Sequence, residues 1–208
     1  MSLTNAGRIV SQPDSGSPSK HAVLGTPLLG PWPAGVELAV FGMGCFWGAE
    51  RLFWTHEGVY TTCVGYAGGS LRDPTYGQVK AGDTGHVEVV RVAYRSALVS
   101  YAELLKVFWE NHDPTQGMRQ GRNVGSQYRS VIFTTTTAQL TASRASRDSF
   151  AGALSEAGFP PITTEIKEAP EFYPAEPYHQ QHLHKNPDGY CAHGPIGVTC
   201  NLDFSRPA

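Results

Sequence analysis

The stretch that most constrains this chain is Gly44-Cys45-Phe46-Trp47-Gly48. It stands between an apolar run, Leu38-Ala39-Val40-Phe41, and an apolar-periodic segment from Ala49 to Trp54. The run reads as a buried strand and the segment after it as a short helix. A chain with this junction has to lay a helix against a sheet, with Cys45 where strand turns into helix. Backbone N–H groups at a helix start are unpaired and carry partial positive charge. That field favours the thiolate, the nucleophilic form, over a free thiol of pKa about 8.5. The flanking glycines let another molecule approach the sulfur closely. Phe46 and Trp47 set a flat apolar wall beside it. Together they suit a substrate with a small apolar group next to a reactive atom. The plainer reading is a buried core cysteine among aromatics.

The rest of the chain alternates strands with helices. Strands are expected over Glu37–Met43, Val59–Tyr66, His86–Arg95, Gln127–Thr134 and Ile162–Glu168. Helices are expected over Phe46–Thr55, from Ser100 to the Asp113-Pro114 stop, and over Thr137–Ala157. Ser100 and Glu103 make a capping-box pattern. Leu140, Phe150, Ala151 and Leu154 form the apolar face of the third helix. Ser70–Gly85 and Gly117–Ser126 read as polar loops, and Glu176–Lys185 as a short helix. This pattern predicts an α/β (α+β) fold: a two-layer sandwich with a mixed sheet covered by helices, and a long C-terminal coil.

At 208 residues and 40% hydrophobic composition, the chain suits one domain with tails. Residues 1–36 are rich in Ser, Gly and Pro and read as a flexible arm. Residues 37–185 read as the catalytic domain. Residues 186–208 read as a coil, mobile unless packed down. The net charge of −2 points to neither nucleic acid nor an anionic membrane. No apolar run approaches the roughly 20 residues of a membrane span. No basic start leads into an apolar core, so no secretory signal is expected, and a cytoplasmic place follows. Nothing suggests a large apolar interface, and a monomer is expected.

Four cysteines are too few for a disulfide scaffold in a chain this long. Cys45 belongs to the rigid part; Cys191 and Cys200 belong to the C-terminal coil. A thiolate that attacks an oxidised substrate ends as sulfenic acid. A second thiol on a mobile tail can stay away during that step and arrive for the next. A third can carry the disulfide to the surface by exchange, where an external reductant meets it. Cys63, mid-strand, reads as core. The competing reading of the tail is a zinc site, since His179, His182, His184, Cys191, His193 and Cys200 crowd together. No Cys-x-x-Cys pair supports it, and neither a metal nor another cofactor is expected. Glu88 shares a strand face with Val90 and Val92. Apolar surroundings would raise its pKa; an exposed strand end with a plain ion pair would not.

Beyond Gly44-Cys45-Phe46-Trp47-Gly48, several further motifs stand in order along the chain. They are Gly65-Tyr66-Ala67-Gly68-Gly69, Asp73-Pro74-Thr75-Tyr76, Gly82-Asp83-Thr84-Gly85-His86, Phe108-Trp109-Glu110-Asn111-His112-Asp113-Pro114, Gln127-Tyr128-Arg129-Ser130 and His184-Lys185-Asn186-Pro187 before Gly189-Tyr190-Cys191. On these the chain resembles the peptide methionine sulfoxide reductase A family from about Leu38 to Cys200. The resemblance implies reduction of methionine S-sulfoxide, free or in oxidised proteins. It implies Cys45 as nucleophile, Phe46 and Trp47 around the methyl group, and Glu88 as the protonated acid at the sulfoxide oxygen. It also implies Tyr76 and Tyr128 as donors to that oxygen. A Cys45–Cys191 disulfide, exchange to Cys191–Cys200 and reduction by thioredoxin would complete the cycle. Asn123 falls where the family has an aspartate in the same hydrogen-bond network, and an amide brings no charge there. A thiol peroxidase would share the sulfenic intermediate without needing the aromatic wall or the tyrosine pair. A binding protein with structural cysteines would need neither the relay nor the acid.

Overall fold

The computed structural model describes residues 19–202. Eight strands and five helices follow one another as β1 (Val36–Met43), α1 (Phe46–Trp54), β2 (Val59–Ala67), α2 (Tyr76–Ala81), β3 (Val87–Arg95), α3 (Tyr101–Glu110), β4 (Arg119–Gln120), β5 (Asn123–Val124), β6 (Ser130–Thr134), α4 (Thr137–Glu156), β7 (Glu165–Glu168), β8 (Phe172–Pro174) and α5 (His182–Lys185). Six strands form one mixed sheet in the order β7-β6-β1-β3-β2-β8. The β6–β7 pair is parallel and the others are antiparallel. This is the expected α/β architecture.

The two faces of β3 do what the alternation predicts. Val90, Val92 and Tyr94 join the main core with Phe41, Met43, Phe53, Leu104, Phe108 and Ile132. That face carries α1, α3 and α4. Val87 and Val89 face the other way and pack with Val40, Val131, Phe133 and Phe172. That second layer is covered by irregular chain, Leu28 and Leu29 among it. β3 is central, so the strand is buried on both faces except at Arg95.

Local chemistry explains the helix limits. Ser100 caps α3, accepting from the Glu103 amide at 3.2 Å, while Glu103 accepts from the Ser100 amide at 2.7 Å. Thr75 and Gln78 make the same reciprocal box for α2, inside the segment expected to be loop. The Thr-x-x-Gln signal was present in the sequence, but no apolar period accompanied it. The fourth expected strand, Gln127–Thr134, is shorter at its start: Ser126–Tyr128 is a 3₁₀ turn, so Tyr128 precedes β6. Helix α5 spans only His182–Lys185, and β8 was not foreseen in its three residues. On α4, Ala151 is exposed. The buried face instead runs through Gln139, Ser143, Ser146, Phe150 and Leu154. Its two serines are spent on the buried aromatics of α3: Tyr101 OH lies 3.0 Å from Ser143 Oγ, and Trp109 Nε1 donates to Ser146 Oγ at 2.9 Å.

Both tails depart from expectation. From Ser19 the chain is packed down, not loose: His21 and Leu28 are buried, and His21 Nε2 lies 2.8 Å from Thr62 Oγ1. Residues 1–18 of the expected arm lie outside the described residues. The C-terminal stretch is coil as expected, yet it lies along the body. Gly194 and Ile196 donate to the carbonyls of Asn111 and Glu110, and Cys200 is fully buried in the main core.

Candidate active site

The β1–α1 junction is set by Gly44, whose φ of +92° suits glycine. A Cβ there would meet Gln120 Cβ at 2.5 Å. Gln120 is tied to the end of α3 by a bond from its Nε2 to the Asp113 carbonyl at 2.9 Å. The β4–β5 ribbon thus clamps the turn that presents Cys45. Cys45 is the N-cap of α1; its side chain makes no capping hydrogen bond, though the Trp47 and Gly48 amides favour its charged form.

The helix-start field does not win as the sequence suggested. The Cys45 thiol is 9% exposed, and its pKa is pushed up to about 12, by burial first and the Glu88 charge second; the two amides pull it down by less. Glu88 is itself buried, and its pKa is pushed up to about 8 by desolvation, opposed by one bond from the Phe46 amide at 3.1 Å. Glu88 is thus in apolar surroundings and not in an exposed ion pair. A carboxyl with that pKa is mostly neutral at neutral pH, and its repulsion of a Cys45 thiolate then disappears. Thiol and acid therefore work together only when the acid holds its proton.

Tyr76 opens α2, and Tyr128 closes the 3₁₀ turn before β6. Both phenols are raised in pKa by burial and then by the Glu88 charge, and both also feel Cys45. They remain O–H donors beside the carboxyl. Phe46 is buried against Tyr66 and His179, with ring centroids 5.9 and 5.0 Å away. Trp47 lies at the edge, stacked on His182 at 3.7 Å, and its Nε1 donates to His179 Nδ1 at 2.9 Å. The structure thus brings Cys45, Phe46, Trp47, Tyr76, Glu88 and Tyr128 to one place. Asn123 stands on the ribbon; its Nδ2 is buried without a hydrogen-bond partner, and the structure gives it no bond to this group.

Several supports went unread in the sequence. Glu176 accepts from the Tyr76 amide at 2.7 Å and from Tyr66 OH at 2.8 Å, fixing the tyrosine that faces Glu88. Glu50, on the buried side of α1, accepts from Thr62 Oγ1 and from both Gln181 nitrogens. Burial raises its pKa to about 7, against the pull of those bonds. This holds Gln181 in a left-handed conformation at φ +48° and so anchors the turn that carries His179 and His182. Glu50 stands five residues beyond Cys45, past the i, i+3 and i, i+4 neighbours of the thiol, and no spacing in the sequence singles it out. Of the histidines of the zinc alternative, His179, His182 and His193 are used as aromatic or hydrogen-bond partners, and among the described residues no three His, Cys, Asp or Glu side chains converge as a metal site.

The remaining cysteines divide clearly. Cys63 is core, as expected, its pKa pushed up to about 12 by burial. Cys191 is half-buried beside α1, close enough to Cys45 to act on its charge. Cys200 was expected on a mobile coil. It is sealed instead, its amide donating to Glu110 Oε1 at 2.8 Å and its thiol pushed up to about 12. All four are free thiols.

A model of the family described as peptide methionine sulfoxide reductase matches residues 37–199. The peptide methionine sulfoxide reductase MsrA of Salinispora arenicola is 59% identical over 202 residues, covering 96% of this chain and 90% of the relative. That of Rhodospirillum centenum is 64% identical over 182 residues, covering 88% and 83%. The solved methionine sulfoxide reductase A of Corynebacterium diphtheriae superposes with a TM-score of 0.80 at 43% identity, covering 98% of each chain.

Proposed function

The chain belongs to the peptide methionine sulfoxide reductase family, an oxidoreductase that reduces methionine sulfoxide with thiols, and on that premise we propose that Cys45 removes the oxygen from the S epimer. The observation that carries the assignment is the buried Glu88 carboxyl held on the Phe46 amide, one residue from the thiol. Glu88 gives its proton to the sulfoxide oxygen, steadied by Tyr76 and Tyr128. That makes the sulfur electrophilic, and Cys45 attacks it. The thiol proton returns to Glu88, the hydroxyl shifts from the substrate sulfur to Cys45 Sγ as the S–S bond between them breaks, and the sulfide leaves, with Cys45 left as sulfenic acid. Phe46 and Trp47 form the wall for the methyl group. With the wall on one side and the oxygen donors on the other, only one hand of the sulfoxide presents its sulfur to Cys45.

Cys191 resolves the sulfenic acid as a Cys45–Cys191 disulfide. Exchange with Cys200 then yields Cys191–Cys200 for a thioredoxin-type dithiol. Four free thiols fit a reducing compartment, and we place the enzyme in the cytoplasm as a monomer. Incubation with each epimer of N-acetylmethionine sulfoxide and dithiothreitol tests the assignment. Methionine product is expected from the S epimer alone, and none from Cys45→Ser. Product from that variant, or equal use of both epimers, would overturn it.

A further inference from the structure

We propose that His193 is the base of the resolving step, its Nδ1 taking the thiol proton of Cys191 as that sulfur attacks Cys45. The proposal rests on the assignment of Cys45 and Cys191 above, and it adds a residue that the sulfenic chemistry alone does not name.

Gly48, in the first turn of α1, makes the meeting place. A Cβ built on it would lie 2.3 Å from His193 Nδ1 and 2.8 Å from Cys191 Sγ. Both atoms therefore rest on the same bare patch of helix, three residues beyond Cys45. Any side chain at position 48 would push them off. The His193 ring is fixed there by its other nitrogen, 2.7 Å from the Met43 carbonyl. A carbonyl only accepts, so Nε2 carries the hydrogen and Nδ1 presents a bare lone pair. That Nδ1 is sealed from solvent and has no partner. Buried acceptors are almost always satisfied, so an orphan beside a reactive thiol points to a donor that comes to it during turnover. Cys191 Sγ lies 3.8 Å from the His193 carbonyl oxygen, so its S–H now points elsewhere and has to turn from there toward the ring on the same Gly48 patch.

The charges around the ring are consistent with this. Burial lowers the His193 pKa to about 4, the Met43 carbonyl works against that, and Arg51 of α1 adds to it. His112, from the end of α3, faces the same ring and is itself neutral, its pKa lowered to about 3 by burial. Cys191 lies on the same Gly48 patch as the ring. The imidazole is thus an uncharged acceptor until a thiolate forms beside it, and that negative charge is what its proton requires.

The step balances. Nδ1 takes the proton of Cys191 Sγ, and the thiolate attacks Cys45 Sγ. The S–S bond forms as the S–O bond breaks, with its electron pair leaving on oxygen. The departing hydroxide is protonated to water, and the imidazolium gives its proton up to solvent. Cys191 is oxidised and the sulfenic sulfur of Cys45 is reduced.

Rapid-quench mass spectrometry after one equivalent of S-sulfoxide reads both stages, methionine release and Cys45–Cys191 formation. His193→Phe keeps a buried ring and removes both nitrogens. Its disulfide is expected to form at least about a hundredfold more slowly at about pH 7, the low side of what a general base supplies. At about pH 9, where hydroxide can take the thiol proton in place of the ring, the difference should close. His193→Asn, which keeps an acceptor near the Nδ1 position, should recover most of the rate at about pH 7. Disulfide formation at the unmodified rate in His193→Phe would overturn the proposal. So would a deficit that is the same at both pH values, or one that Asn does not relieve. Loss of methionine release in His193→Phe would overturn it as well, by placing the residue in the first step. Absence of any Cys45–Cys191 species in the unmodified enzyme would instead sink the underlying relay.

Discussion

At the scale of single residues, the site depends on carboxyls made neutral by burial. Glu88 has a folded pKa of about 8, so its acid form is present below that value and lost as pH rises through it. The rate of the first step should fall above about pH 8. Glu88→Gln removes the proton but keeps an oxygen for the Phe46 amide at 3.1 Å. It should slow methionine release by roughly 100- to 10,000-fold at neutral pH and abolish the alkaline limb. Stopped-time assays across pH 6 to 9 (about one point per half unit) check both parts. The sequence located Glu88 through its place among valines on one face of β3. It misjudged Cys45, whose helix-start amides were legible while the burial that outweighs them was not. Asn123 stood out in the sequence as a departure from the family, and the fold leaves it on the ribbon without a bond to the acid.

At the scale of elements, α1 and the C-terminal coil make one device. Helix α1 presents Cys45 at its cap and a bare Gly48 in its first turn, and the coil lays Cys191 and His193 on that glycine. The coil then runs on until Cys200 is locked under α3. A coil of Gly and Pro carries no period, so the sequence could not tell a free tail from one packed along the body. The structure decides for packing, with Cys191 left as the most accessible thiol. Brief alkylation of the reduced enzyme should therefore label Cys191 well ahead of Cys45, Cys63 and Cys200, as peptide mass spectrometry would resolve. Equal labelling of Cys200 in the native protein would show that the tail does not stay down. Release of Cys200 from α3 is then a required opening before the second disulfide can form, and thiol exchange must wait for it.

At the scale of the whole molecule, buried ionisable groups set how stability varies with pH. His21, His179 and His193 have folded pKa values lowered to about 4, and His112 to about 3, in every case with burial as the main cause. Their contribution is full above the unfolded value of about 6.5 and is lost as pH falls toward 4. Glu88 and Glu50 have folded values raised to about 8 and about 7, so their contribution is full below the unfolded value of about 4.3 and is lost as pH rises to 7 and 8. In the window where both sets act, the four histidines outnumber the two carboxyls. Stability should thus climb from about pH 4 to a maximum near 6.5 and fall beyond it. Each carboxyl that stays protonated only in the folded state accounts for up to about 1.4 kcal/mol per pH unit of that fall. Thermal melts across pH should show the maximum, and Glu88→Gln should flatten its alkaline side. The sequence by itself determined the α/β alternation, the strand-turn-helix that carries Cys45, the face of Glu88 and the division of cysteines between body and tail. Those follow from side-chain period and local caps, which neighbouring residues settle among themselves. Only the tertiary structure decided that Glu176 and Glu50 hold the pocket, that Cys200 is sealed, and that His193 reaches Gly48. Those contacts join residues far apart in the chain, and they depend on burial and approach distances that no local pattern records.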